Sequence, residues 1–517
     1  MTRSTLKRRY LTILASTLAL LCAAGGYAAS RWYGGSAALP EPPIAAGDRT
    51  RIGINLSGLA TFNRQQVFTD LTAQSEWFSS RGDGWTMMPA RQLDSHGWPR
   101  FLEAGQTAPR PLILPPAPFR PTQVRCRFAG TGSFAAGGVA RMAESGLNQL
   151  TLDLELSGVG EEGAWIELLA TAPDDPVRNL DCREADRPWG ERFHPQFLAF
   201  LRGFTTLRFL DWQRTNDNFA VRWQDRALPQ SSSQVAAAGA SVEDMVDLAN
   251  LVGADPWFLM PYRADDQYVR RFAQLVRARL DPSRRIYVEL GNEIWNDMFA
   301  AARQAEREGV MLRLGGGDPV RARTLRYAQK LCRTMHIWDA VFASDRQRLI
   351  RVAASQNAYP DLSEILLGPG GAADCVDALA TAPYIWIDLD GRDAADRDLV
   401  FAQIPDAIGE TIDFAARNRA IAMRHGKRFI AYEGGQHLVT KDLALGQGLQ
   451  RDRRMGGTYR AYLDQWNARI RSDLVLYASS APIADYGSWG LQEYAGQPHA
   501  ETPKLTAVRG FMARAGQ

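Results

Sequence analysis

Apolar positions along the chain keep two different periods. Leu150, Leu152, Leu154 and Leu156 alternate with Thr151, Asp153 and Glu155, the period of two that marks a strand with one buried face. Gln123 to Phe128 and Trp165 to Ala170 read as further strands, with Gly and Pro clusters between them. From about residue 194 the rhythm changes to strand, loop, helix, repeated. Leu207 to Trp212 predicts a strand, and Val242, Met245, Val246, Leu248 and Ala249 predict the helix after it. Trp257 to Met260 predicts the next strand. Tyr268, Val269, Phe272, Leu275, Val276 and Leu280 then recur at helical spacing behind Asp265, a favourable helix start. Ile286–Leu290, Leu349–Ala353, Ala378–Ala382, Arg428–Tyr432 and Leu474–Tyr477 follow as strands. With a first strand at Arg51–Leu56 the set comes to eight. Alternating βα units imply a parallel sheet, and eight of them favour a closed (β/α)8 TIM barrel over a doubly wound open sheet.

This patterning divides the chain. Residues 49–75 carry the first barrel strand and its loop, 76–185 an inserted β-rich, sandwich-like domain, and 186–517 the rest of the barrel. Residues 30–48, rich in Pro, Gly and Ala, read as a linker. Ahead of it, Arg3, Lys7, Arg8 and Arg9 form a basic head before an apolar run from Tyr10 to Ala24 and small residues beyond it. Residues 1–29 are therefore either a cleaved signal peptide or a retained membrane anchor. Both readings place the rest of the chain outside the cytoplasm, periplasmic, secreted or anchored to the inner membrane.

Composition narrows the function classes. Apolar residues make up 45% and charged residues 23% of the 517, which excludes a disordered, collagen-like or coiled-coil protein. The net charge of +3 gives no basic stripe of the kind nucleic-acid binding requires. Of the five cysteines, Cys22 lies in the N-terminal segment. The other four, Cys126, Cys182, Cys332 and Cys375, allow three pairings. Cys126–Cys182 with Cys332–Cys375 is the most local pairing, and four separate buried thiols are the alternative. No C-x-x-C, G-x-S-x-G or phosphate-cradling loop occurs, and Gly130-x-Gly132 reads as a hairpin turn.

The candidate chemistry sits after the fourth and seventh barrel strands. The fourth runs into Glu289-Leu290-Gly291-Asn292-Glu293-Ile294-Trp295-Asn296, the seventh into Ala431-Tyr432-Glu433-Gly434-Gly435-Gln436-His437. All C-terminal strand ends of such a barrel face one cavity, and strands four and seven lie on opposite sides of it. Two carboxylates so placed can meet across a bound sugar, as glycosidic bond cleavage requires. Trp212, Trp257, Tyr262, Trp295, Trp386 and Trp489 fall at or beyond strand ends, where rings can stack on sugar faces. Glu433 and His437 are four apart, a spacing that could ligate a metal on a helix. Their segment leaves a strand through two glycines, however, so no metal and no cofactor are expected, and His437 reads as a rim contact.

Asn292-Glu293 after strand four and Glu433 after strand seven resemble the signature of the retaining (β/α)8 glycoside hydrolases of clan A. The resemblance covers residues 50–75 and 186–500, not the inserted domain. It implies that Glu293 is the acid/base, Glu433 the nucleophile, and Asn292 a hydrogen-bond partner of the sugar 2-hydroxyl. It also implies that Tyr384 touches the nucleophile, Arg208 orients it, and Trp489 floors the cleavage subsite. Asp211, Trp212 and Asn216 lie nearer the rim. Glu293 must then be protonated near neutral pH, with Trp295 and Trp489 available as walls, while Glu433 needs donors such as Tyr384 or Arg208 to stay ionised. The implied function is an exported retaining hydrolase acting on a β-linked glycan, a polysaccharide lying in an open groove. A catalytically silent glycan-binding protein on the same barrel, or a transglycosylase, are the alternatives.

Overall fold

A computed structural model of the chain describes residues 49–60, 64–82, 84–113, 122–155, 163–218 and 220–516. The expected signal or anchor segment and the linker lie outside the described residues, and so does Leu156. Among the described residues no helix is long and apolar enough to cross a membrane.

Eight parallel strands close into a barrel: β1 (Ile52–Asn55), β2 (Thr206–Arg208), β3 (Asp255–Met260), β4 (Ile286–Leu290), β5 (Leu349–Ala354), β6 (Ala378–Thr381), β7 (Arg428–Ala431) and β8 (Leu474–Leu476). β1 pairs with β2 through Ile54 and Leu207 and with β8 through Ile52 and Leu474. No edge is left, which rules out the open doubly wound sheet. The chain is a (β/α)8 barrel.

The period of two sorts side chains between two apolar compartments. Trp257 and Leu259 of β3 and Tyr287 of β4 point into the barrel, where they pack with Ile350, Val352 and Ile430. Their neighbours Phe258, Met260, Ile286 and Val288 point outward to the helices. Trp257 and Tyr287, paired in register, stack with ring centroids 5.0 Å apart. The outer helices start where the sequence supplies caps: Ser241 accepts from the Asp244 amide and Asp265 from the Tyr268 amide.

β2 is shorter than the apolar run Leu207–Trp212 predicts. The chain leaves the sheet after Arg208 and enters a turn, closed by Gln213 N–H to Phe209 O and Arg214 N–H to Asp211 O, with Arg214 at φ +48°. This turn sends Asp211 toward the barrel mouth and Trp212 into the outer core.

Between β1 and β2 the chain builds antiparallel sheets. One has four strands in the order Arg178–Glu184, Thr122–Ala129, Gln149–Leu154, Ala140–Gly146, and another has three in the order Ala108–Leu112, Ala164–Thr171, Gly132–Gly138. Val124, Leu152 and Leu154 from the first share one apolar cluster with Ala108, Ile166 and Leu168 from the second. Two disulfides form, Cys126–Cys182 and Cys332–Cys375. The first joins directly opposed residues of neighbouring strands, and the second ties the helix Pro319–Val341 to the turn before β6. Cys126→Ser/Cys182→Ser opens a loop spanning 56 residues, so it is expected to cost about 2–4 kcal/mol. Calorimetry should show a lowered Tm; an unchanged Tm would contradict a stabilising role.

Candidate active site

The site begins with a charge inside the barrel. Glu289 on β4 takes the inward phase of the period of two and is 0% exposed. A buried carboxylate needs a counter-charge and a full set of donors. Arg208, at the end of β2 and also 0% exposed, supplies them. Its Nη2 donates to both Glu289 oxygens at 3.2 and 3.0 Å and its Nε to Oε2 at 3.2 Å. Trp257 Nε1 adds a fourth bond at 2.9 Å. Arg208 Nη1 also donates to Glu433 Oε1 at 2.7 Å and to Asn55 Oδ1 at 3.0 Å, and Nη2 donates to Asn292 Oδ1 at 2.9 Å. One planar guanidinium therefore ties together β1, β2, β4 and the chain beyond β7. Burial works against its charge, but the Glu289 and Glu433 carboxylates outweigh that and raise its pKa.

Beyond β4 the backbone makes a strained turn. Gly291 sits at φ +64° and Glu293 at φ +45°, a conformation that costs a side-chain-bearing residue energy and is kept where the surroundings enforce it. A Cβ at Gly291 would come within 2.6 Å of the Ile294 side chain, so this position needs glycine. The turn delivers Glu293 to the mouth. There Tyr432 O–H donates to Oε1 at 3.2 Å and Asn296 Nδ2 to Oε2 at 3.0 Å. Trp295 Nε1 in turn donates to the Tyr432 oxygen at 3.2 Å.

The two carboxyl groups differ electrostatically. Burial first, and the Glu433 charge second, push Glu293 up to about 8. Burial also raises Glu433, but the Arg208 guanidinium and the Tyr384 hydroxyl, which donates to Oε2 at 2.9 Å, pull against it. Burial and the Glu433 charge thus favour the protonated form of Glu293, while Arg208 and Tyr384 favour the charged form of Glu433.

No family description matches this sequence, and no curated protein matches it. Solved structures give weak likenesses. An α-L-arabinofuranosidase from Thermotoga maritima aligns over 62% of this chain and 63% of its own at 13% identity, TM-score 0.38. The GH51 arabinofuranosidase from Xanthomonas axonopodis pv. citri aligns over 57% and 62% at 13% identity, TM-score 0.39. A 4-O-α-L-rhamnosyl-β-D-glucuronidase from Fusarium oxysporum 12S aligns over 62% and 64% at 16% identity, TM-score 0.38. The chain thus spans less than two thirds of the length of each of these proteins. The likeness is one of architecture. The activities in those names belong to those proteins.

The other expected residues fall into two groups. Trp295, Tyr384 and His437 line a cleft with Glu293, Trp386 and Asn357, around about 740 Å³ of space partly open to solvent. His437 lies not on a helix but on a short strand, Gly435–His437, paired with Tyr384–Trp386, so its spacing of four from Glu433 does not bring both to one helix face. Its Nδ1 accepts from Trp489 Nε1 at 3.3 Å, and burial holds the imidazole down at about 4. It is neutral at physiological pH. Trp489 is half-buried and packs against Tyr477, at 5.9 Å, and His437, at 5.5 Å. Asp211 is half-buried and accepts from Tyr477 O–H at 3.1 Å. Burial and the nearby Glu433 charge raise it to about 7. Asn292 Nδ2 reaches Asn216 Oδ1 at 3.2 Å.

Trp212 is not brought to the cleft. It is 1% exposed and packs among Phe68, Phe197 and Phe209, because the turn after β2 rotates it outward. Trp257 is enclosed in the barrel and Tyr262 bonds to Glu308 on the outer helices. Sequence reasoning missed Glu289, Asn55, Tyr432 and Tyr477 as members of the network. A signal for Glu289 existed: an acidic residue on the inward phase of Ile286–Leu290 must find a cation, and Arg208 is also inward.

Proposed function

We propose that this protein is an exported glycoside hydrolase that cleaves a β-linked glycan with retention of configuration, using Glu433 as nucleophile and Glu293 as acid/base. The observation that carries the reading is the pair of buried carboxyls beyond β4 and β7, Glu433 bonded by Arg208 and Tyr384 and Glu293 by Tyr432 and Asn296. The β-linkage comes from the resemblance of the Asn292-Glu293 and Glu433 segments to clan A signatures. The open, aromatic-lined cleft suits a polysaccharide. Export is supported by the basic-then-apolar N-terminal pattern and by two disulfides, which persist in oxidising compartments. The same N-terminal segment, if retained, would anchor the protein to the inner membrane.

The chemistry follows from the charges. The Glu433 carboxylate attacks the anomeric carbon while the bond to the leaving oxygen breaks, and Glu293 gives that oxygen its proton. The product is a glycosyl ester on Glu433. Esterification removes the Glu433 charge, one of the two causes that raise Glu293. The Glu293 pKa then falls, and its carboxylate takes a proton from the water that attacks the anomeric carbon, breaking the bond to Glu433. Arg208 and Tyr384 hold Glu433 in its attacking form before the first step and stabilise it as the departing carboxylate in the second. In this reading Asn292, which bonds to Arg208 and Asn216, meets the sugar 2-hydroxyl, and Asp211 accepts from another hydroxyl.

The test is turnover of a panel of aryl β-glycosides, β-glucans, mannans, xylans and bacterial exopolysaccharides by wild type and Glu433→Ala. Turnover by wild type alone supports the proposal. Equal residual activity removes the enzyme reading, and glycan binding without turnover would leave the silent binding protein. Products longer than the substrate would mark a transglycosylase.

Tyr384→Phe deletes one charge-assisted hydrogen bond to Glu433, so kcat/KM should fall roughly 10- to 100-fold with the fold unchanged by circular dichroism. An unaltered rate would separate Tyr384 from the nucleophile. For the pH profile, the acid must carry its proton, so activity should decline as pH rises through about 8, where Glu293 ionises. The same shift has a stability consequence. The folded protein keeps the Glu293 proton up to about 8, while an unfolded glutamate loses it near its ordinary 4.5. Between those values the folded state binds more protons, so this group makes stability fall as pH rises. Glu293→Gln removes the effect, and its Tm advantage over wild type should grow from pH 5 to pH 8. A constant Tm difference across that range would contradict the raised carboxyl.

A further inference from the structure

On the face opposite the cleft, around the N-terminal strand ends, lies a second cavity with about 1050 Å³ of space partly open to solvent. Its wall is strongly basic. Arg51 stands just before β1, Arg285 before β4, Lys427 and Arg428 at the start of β7, and Arg471 before β8, while Arg419 comes from the helix Arg397–Arg424. Asp473 is the one carboxylate lining the cavity among the described residues. The nearby carboxylates are already engaged. Asp255 binds both Arg51, at 2.9 Å, and Arg285, at 3.1 Å. Asp473 accepts from Tyr287 O–H at 2.5 Å and lies 4.0 Å from Arg51. Asp377 is held by Arg346 and Arg351. Among the described residues neither Lys427 nor Arg428 has an ion-pair partner. Two donors of the wall, Arg51 Nη1 and Ser472 Oγ, are buried without a hydrogen-bond partner among the described residues.

Converging cations with unused donors around a cavity describe an anion site. Guanidinium forks match oxyanions in which several oxygens diverge from one centre. A phosphate group carries nearly two charges on such oxygens, which suits this excess of cations better than isolated carboxylates do. We propose that the N-terminal face of the barrel binds a phosphate-bearing polyanion, either a soluble one or the headgroup layer of an anionic lipid surface. This site is independent of the glycosidase reading, because it shares no residue with the cleft.

The experiment uses the full chain and two probes, pyrophosphate by calorimetry and vesicles of phosphatidylglycerol in phosphatidylcholine by co-sedimentation. Three proteins are compared: wild type, Lys427→Gln/Arg428→Gln and Glu433→Gln. Lys427 is half-buried and Arg428 exposed, so the double variant should fold, which circular dichroism checks. The expected result is saturable binding of at least one probe that weakens about tenfold or more in the double variant, declines with added salt and is unchanged in Glu433→Gln. A variant-sensitive response to pyrophosphate alone assigns a soluble ligand. The same response to phosphatidylglycerol vesicles, and not to phosphatidylcholine alone, assigns the lipid headgroup. Absence of saturable binding to either probe, or equal binding by wild type and the double variant, overturns the proposal.

Discussion

Glu433→Ala is expected to lower kcat on an activated aryl β-glycoside by about 10⁴-fold or more, because it removes the proposed nucleophile. The matching change at Glu293 should behave differently. Glu293→Ala should cost about 10²–10⁴-fold on substrates whose leaving group needs a proton. It should cost far less on the first step with an activated phenol, which departs unprotonated. The contrast between the two variants assigns the roles more firmly than either loss alone. A Glu433 variant that kept most of its rate, or a Glu293 variant indifferent to the leaving group, would break the assignment. Glu293 and Glu433 are 3% and 5% exposed, so circular dichroism must show the wild-type fold before either loss is read as a catalytic one.

The second large effect is expected at Arg208. Arg208→Met leaves Glu289, 0% exposed, and Glu433, 5% exposed, without their shared counter-charge. Removing one partner from a buried ionic group costs about 3–5 kcal/mol, read as a lowered denaturant midpoint. The survivors should also show a shifted pH profile. With Arg208 gone, the main influence pulling Glu433 down is lost, so its pKa rises and the acid limb of kcat/KM moves to higher pH. Arg208→Lys keeps the charge but cannot reach Glu289, Asn55, Asn292 and Glu433 at once, so it should fall between wild type and Arg208→Met. The double variant Arg208→Met/Glu289→Gln should recover part of the stability and none of the activity. If stability returned together with activity, Arg208 would be a structural residue with no hold on the nucleophile.

What was readable in the sequence follows from how local each signal is. The barrel strands announce themselves through apolar runs and the helices through a longer period, so the alternation and the count of eight came through. The position of Glu293 and Glu433 just beyond the fourth and seventh barrel strands was legible because barrel topology puts those strand ends across one cavity. Strand length was less readable. Leu207–Trp212 is apolar enough for a strand, yet the sheet ends at Arg208, because the buried ion network claims that residue and the turn behind it satisfies the backbone. That difference of a few residues decides which way Trp212 points, and a ring placed at the rim by pattern lies in the core by packing. Glu289 and Tyr432 were harder to place because their importance is set by partners distant in sequence. No period reports that Tyr432 spans Glu293 and Trp295. The basic cavity beneath the barrel is similar: its arginines are scattered singly, and the near-neutral total charge hides them until the strand ends are gathered together.

Glu293 and Glu433 are expected to act from opposite sides of one sugar, one as acid and the other as nucleophile. The most direct measurement is the anomeric configuration of the first-formed product, followed by proton NMR before mutarotation, on whichever β-glycoside the panel shows to be turned over. The β anomer is expected, the outcome of two successive displacements. An α product would mean that water attacks directly and that Glu433 never bonds to the sugar.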